Sequence, residues 1–155
     1  MWTRLTVAAG VVVRADREQV WRLATDWARQ HEWIWVTRVH GGQGAGAKVS
    51  GRTGFGPVGF TDPMVITEWL PPRRCTVEHV GKIVRGTGVF EVLPRVRDGE
   101  AEFRWTEIIE LPLPPVIGRP LAIGLIGPVA RIGLGSSLRR FARVIRADQA
   151  RAVSG

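Results

Sequence analysis

Two periodicities organise the chain. Leu5, Val7, Val11 and Val13 share one side of an extended segment, with Arg4, Thr6 and Arg14 on the other, the two-residue period of a half-buried strand. Asp16 then offers an N-cap with Gln19 three residues on. Val20, Leu23, Ala24 and Trp27 follow at the i, i+3, i+4, i+7 spacing of an amphipathic helix. A second short helical turn is expected over 29–33, and the chain reads as extended from Ile34-Trp35-Val36 onward.

The middle of the sequence returns to the strand period. Apolar-rich runs near 35–40, 48–53, 59–70, 74–81, 84–93 and 101–111 are separated by Gly41-Gly42-Gln43-Gly44, Gly54-Phe55-Gly56-Pro57, Pro71-Pro72, Gly81-Lys82 and Asp98-Gly99. Connections this short suit an antiparallel meander and leave no length for parallel crossovers. After the stiff Pro112-Leu113-Pro114-Pro115, a long helix is expected from Arg119 or Pro120 to Ala147. Its apolar stripe is Leu134, Leu138, Phe141 and Ile145, with Arg139, Arg143 and Arg146 facing away. Pro128 removes the bond to the Gly124 carbonyl and is expected to kink or break this helix. The glycine-rich first half predicts local softness there.

The 155 residues, 45% hydrophobic and 23% charged, provide for one ordinary core, read as a single domain over 1–150 with a flexible tail over 151–155. The lone Cys75 excludes an internal disulfide and a multi-thiolate zinc site and points to a reducing, cytoplasmic setting. The three histidines lack any H-x-H or H-x-x-x-H spacing, so neither a metal nor another cofactor is expected. No cleavage site follows the apolar run at 5–13. Arg119, Arg131, prolines and glycines interrupt 116–135, which is read as too broken to span a bilayer.

The net charge of +8 is concentrated at the end of the chain, where six arginines follow Pro128 against one acid, Asp148. That stripe contains one aromatic, Phe141, on its apolar side. It lacks the stacking platforms of nucleic-acid readers, so no nucleic-acid partner is expected. A solvated helix face is one reading of it. A transient contact with an anionic membrane surface through Arg139, Arg143 and Arg146 is the other. Gly42-Gln43-Gly44-Ala45-Gly46 leads from strand to strand, without the helix N-terminus a phosphate loop requires, and reads as a hairpin turn.

The order of strand, two short helices, six strands and one long helix resembles the helix-grip superfamily of START-like lipid carriers, birch-pollen-allergen-type proteins and polyketide cyclases (SRPBCC). The likeness is strongest to its bacterial polyketide cyclase/dehydrase branch. Asp16…Val20-Trp21, Asp26 with Trp33, Trp69-Leu70-Pro71-Pro72-Arg73-Arg74, Gly86-Thr87-Gly88-Val89-Phe90, Trp105-Thr106-Glu107 and Ser137-Leu138-Arg139-Arg140-Phe141 carry it. The resemblance implies an α+β fold in which a curved antiparallel sheet of about seven strands wraps the long C-terminal helix. It also implies an apolar cavity between them, and no particular reaction.

The two-residue period selects cavity residues independently. On 101–111, Phe103, Trp105, Glu107, Ile109 and Leu111 share the inward face; on 74–81, Cys75, Val77 and His79 do; on 84–93, Phe90 and Val92 do, with Gly86 and Gly88 leaving space beside them. Trp33, Trp35, Leu134, Leu138 and Phe141 complete the expected lining. Glu107 and His79 are then the ionisable pair inside. A carboxylate among Trp and Ile costs desolvation free energy unless a cation pairs with it. Three functions remain open. The first is a carrier of a small hydrophobic ligand such as a lipid, a polyketide or an aromatic metabolite. The second is a cyclase or dehydratase using Glu107 and His79 as acid and base; the third is a lipid shuttle docking through the arginine face. Monomer and homodimer are both compatible with the sequence.

Overall fold

The computed structural model describes residues 2–155. Seven strands form one antiparallel sheet: β1 (Thr3–Val13), β2 (Thr37–Gly41), β3 (Lys48–Phe55), β4 (Val58–Leu70), β5 (Arg74–Val80), β6 (Arg85–Pro94) and β7 (Ala101–Leu111). Their spatial order is β1-β7-β6-β5-β4-β3-β2, so each hairpin places a strand beside its predecessor and β1 closes onto the last. Between β1 and β2 lie α1 (Arg17–Thr25) and a 3₁₀ turn (Trp27–Glu32). After β7, α2 (Pro115–Leu121), a π-helical turn (Ala122–Ile126) and α3 (Gly127–Ser154) follow without interruption. This is the helix-grip architecture the resemblance implies.

Local chemistry accounts for the elements. The Asp16 carboxylate accepts the Gln19 backbone N–H at 2.7 Å and starts α1. The β3–β4 turn depends on Gly54, at φ +139, where a Cβ would lie 2.2 Å from the Val58 carbonyl oxygen. The sheet pleat follows the predicted period. Phe103, Trp105 and Glu107 on β7 pair with Val92, Phe90 and Gly88 on β6. Phe90, Gly88 and Gly86 in turn pair with Cys75, Val77 and His79 on β5.

The core sits where α3 meets this face. Trp33 is fully buried with its ring 5.1–5.9 Å from those of Phe90, Phe103, Trp105 and Phe141. Leu138, Phe141 and Ile145 complete the seal. Arg29 in the 3₁₀ turn bonds both Glu32 and Asp148, tying the short helices to the end of α3. Those two carboxylates raise the Arg29 pKa despite the burial that opposes it.

The structure departs from expectation at four points. Residues 34–36 are turn rather than strand, with Val36 at φ +48, a region a β-branched side chain rarely enters. The terminal helix begins earlier, at Pro115, and runs unbroken past Pro128. A π-helical turn stands just before it, where the Gly127 N–H reaches back to the Ala122 carbonyl. Residues 151–154 continue α3 instead of forming a loose tail. Because the prolines do not break it, Pro115–Ser154 is long and apolar enough to cross a membrane by length and composition. Its most apolar 18-residue window has mean hydropathy 1.5 and is 28% buried, a test that the core helix of a soluble domain also passes.

Candidate functional site

The concave face of β2–β7 and the underside of the 3₁₀ turn enclose a half-open cleft of about 260 Å³. Trp27, Gln30 and Ile34 form its roof, and Val39, Val49, Met64, Val77, Phe90, Trp105 and Ile109 line its largely apolar floor and walls. Gly51 on β3 leaves space that any side chain would occupy. The β2–β3 hairpin is pinned to the roof by Trp27, whose Nε1 donates to the Gly42 carbonyl at 2.7 Å.

One end of the cleft is polar. His79 lies between two carboxylates, with Nδ1 2.6 Å from Asp62 Oδ2 and Nε2 3.2 Å from Glu107 Oε2. Trp105 Nε1 donates to the remaining Glu107 oxygen, Oε1, at 2.6 Å. The three side chains are 9%, 14% and 16% exposed for His79, Asp62 and Glu107.

The sheet explains how they meet. Met64 pairs with His79, so Asp62, two residues along β4, is its diagonal neighbour on the same face. Glu107 is two strands away from β5, a distance of about 9.5 Å, with β6 between. There β6 carries Gly88, whose added Cβ would stand 3.0 Å from Glu107 Oε1 and 3.1 Å from Val77 Cγ2. Gly86, at φ +133, has no room for a Cβ at all, since one would lie 1.8 Å from the Ile108 carbonyl oxygen. Gly88 keeps open the space over β6 where imidazole and carboxylate join, and it also lines the cleft as expected, whereas Gly86 does not.

Burial is the largest single influence on His79 and pulls its pKa down. The hydrogen bonds and charges of Asp62 and Glu107 together outweigh it and raise it to about 10. The imidazole is therefore a cation at neutral pH, and the cluster formally holds one cation against two acids. Asp62 Oδ2 is engaged by His79, while Asp62 Oδ1 is buried and has no donor among the described residues. Cys75 is inert by contrast: burial pushes its thiol up to about 12. Among the described residues no group of three or more His, Cys, Asp or Glu side chains has the arrangement of a metal site.

Of the positions expected to line the cavity, Cys75, Val77, His79, Phe90, Trp105, Glu107 and Ile109 fall on the cleft. Trp33, Val92, Phe103, Leu138 and Phe141 lie behind it in the close-packed core, because α3 descends onto that part of the sheet and leaves no space. Leu134 is half-buried and also off the cleft. Trp35 is carried to the surface by the 34–36 turn, where its Nε1 donates to Ser136 and Arg140 stacks 4.1 Å from its ring. The α3 helix contributes nothing to the lining. Asp62 escaped the sequence reading because no inward face was assigned to the 59–70 run. Phe60, Met64 and Ile66 share its parity, the same signal that marked Glu107.

No family model matches the sequence, and neither does any curated protein. Solved structures do match in fold. A protein of unknown function from Staphylococcus aureus superposes with TM-score 0.75 at 10% identity over 96% of this chain and 98% of its own. A point mutant of norcoclaurine synthase from Thalictrum, in complex with a transition-state analogue, gives 0.65 at 9% identity over 96% and 98%. A Polyketide_cyc-like protein from Corynebacterium glutamicum gives 0.63 at 16% identity over 95% and 94%. These similarities show that the chain has the helix-grip fold. At such identities they speak for the fold alone.

Proposed function

We propose that the protein binds one small, mostly apolar molecule in the cleft and holds its polar end at the Asp62–His79–Glu107 cluster. The observation that carries this reading is the cleft itself, apolar along most of its lining and closed at one end by the Asp62–His79–Glu107 cluster. A cluster with two acids to one cation favours a neutral or cationic head and disfavours an anionic one. The volume lies at the small end of ligand sites, which suits a compact aromatic or short-chain molecule. Similarity to a fold that holds a transition-state analogue in norcoclaurine synthase supports the same reading.

The geometry favours binding over acid–base chemistry. General acids and bases work best with pKa values near the operating pH. His79 is instead held as a cation with both ring nitrogens engaged, and both Glu107 oxygens are already acceptors. A fluorescence titration tests the proposal with two naphthalene probes, neutral N-phenyl-1-naphthylamine and anionic 1-anilinonaphthalene-8-sulfonate. The neutral amine is expected to saturate one site and to bind at least about tenfold more tightly than the sulfonate. Gly51→Phe is expected to abolish this binding without unfolding, since a Cβ there meets nothing closer than Met64 Cε at 3.5 Å. Undiminished binding in Gly51→Phe, or a preference for the sulfonate, would overturn it.

A further inference from the structure

The first half of the terminal helix is amphipathic in the reverse of the usual sense. Its inner stripe is Gly118, Ala122 and Gly127, all buried. These small residues bring the helix close onto β1: a Cβ at Gly118 would collide with the Thr3 side chain, and one at Gly127 would come to 3.5 Å from Leu5 Cδ1. Most of the bulky apolar residues lie on the other side, with only Leu121 and Ile126 half-buried. Ile117, Ile123, Leu125, Val129 and Ile132 are 59%, 76%, 56%, 60% and 70% exposed. A helix of a soluble domain ordinarily buries such side chains, and a contiguous exposed set marks a surface that meets something apolar.

Charge identifies the partner. Between Glu110 and Asp148 there is no acidic residue, while Arg119 and Arg131 lie within the apolar stretch and Arg139, Arg140, Arg143 and Arg146 continue along α3. Two copies meeting face to face through this patch would set Arg119 and Arg131 against their equivalents with no carboxylate to pair them. An anionic bilayer meets both features, accepting the apolar side chains below its phosphates and the guanidiniums among them.

We infer that residues 116–132 form a membrane-docking face that lies in the surface of anionic phospholipid bilayers, with the apolar outer side of the helix inserted. This moves the contact from the arginine row alone to the apolar half of the helix, and it stands independently of what the cleft binds. Flotation with vesicles of 70:30 phosphatidylcholine and phosphatidylglycerol tests it, with pure phosphatidylcholine as control. Wild type is expected to float with the anionic vesicles and to bind the neutral ones roughly tenfold less. The double variants Ile123→Asp/Ile132→Asp and Arg119→Glu/Arg131→Glu are each expected to lose roughly tenfold or more while keeping wild-type circular dichroism, because all four positions are exposed. Gly51→Phe is expected to float like wild type, which separates this surface from the cleft. Failure of wild type to float, retention of binding in the Ile123/Ile132 variant, or a stable dimer in sedimentation that loses its contact in that variant would each overturn the inference.

Discussion

Replacing His79 by leucine is expected to lower the unfolding free energy by about 3–5 kcal/mol. It removes the one cation from a buried pair of acids and leaves both without their shared partner. Adding Asp62→Asn and Glu107→Gln to that variant is expected to restore most of the loss, since the penalty comes from uncompensated charge rather than lost volume. Urea denaturation of the three proteins measures this. A His79→Leu variant within about 0.5 kcal/mol of wild type would show that the cluster contributes nothing to the fold.

The same cluster fixes a pH dependence. The folded-state pKa of His79 is raised from 6.5 to about 10, so between those values the native state keeps a proton the unfolded chain has released. Stability therefore falls as pH rises through that window. The contribution is complete below about 6.5 and is lost as pH passes through about 10. The difference between the wild-type and His79→Leu stability curves isolates it. A difference that grows with pH would have the wrong sign.

Truncation of Trp33 to alanine is the second large effect, expected to cost about 3–5 kcal/mol. The indole is fully buried and touches four aromatic rings drawn from β6, β7 and α3. Three elements would thus lose their common packing partner, and a cavity would open directly behind the cleft. Trp33→Phe is expected to cost much less, because it keeps an aromatic ring and discards an indole N–H that is buried without an acceptor among the described residues. Equal losses in the two variants, read from thermal unfolding, would show that ring packing is not what Trp33 supplies.

The fold was readable because it rests on local rules. The parity of Phe103, Trp105 and Glu107 and of Cys75, Val77 and His79 assigned a sheet face, and in the structure those residues do pair across β5, β6 and β7. Parity cannot say how much of a face lies under the helix and how much faces open space. Val92 and Phe103 belong to the same face as Phe90 and Trp105 and still end in solid core, because the descent of α3 is a tertiary fact. Asp62 lay on a long run where no face was assigned. The reach from His79 to Glu107 depends on which two strands flank the glycines of β6, and that follows only once the sheet order is known. At Pro128 the expected break does not occur, because a proline removes one donor without ending the helix; a π-helical turn directly precedes it.

The most direct test of a ligand-holding cleft is native mass spectrometry of gently purified wild type and Gly51→Phe, side by side, followed by organic extraction of each. The account predicts one bound small molecule in wild type, released by extraction, apolar and bearing a hydroxyl or amine, and none in Gly51→Phe. The same adduct on both proteins, or a wild type that stays bare even after incubation with excess N-phenyl-1-naphthylamine, would contradict it.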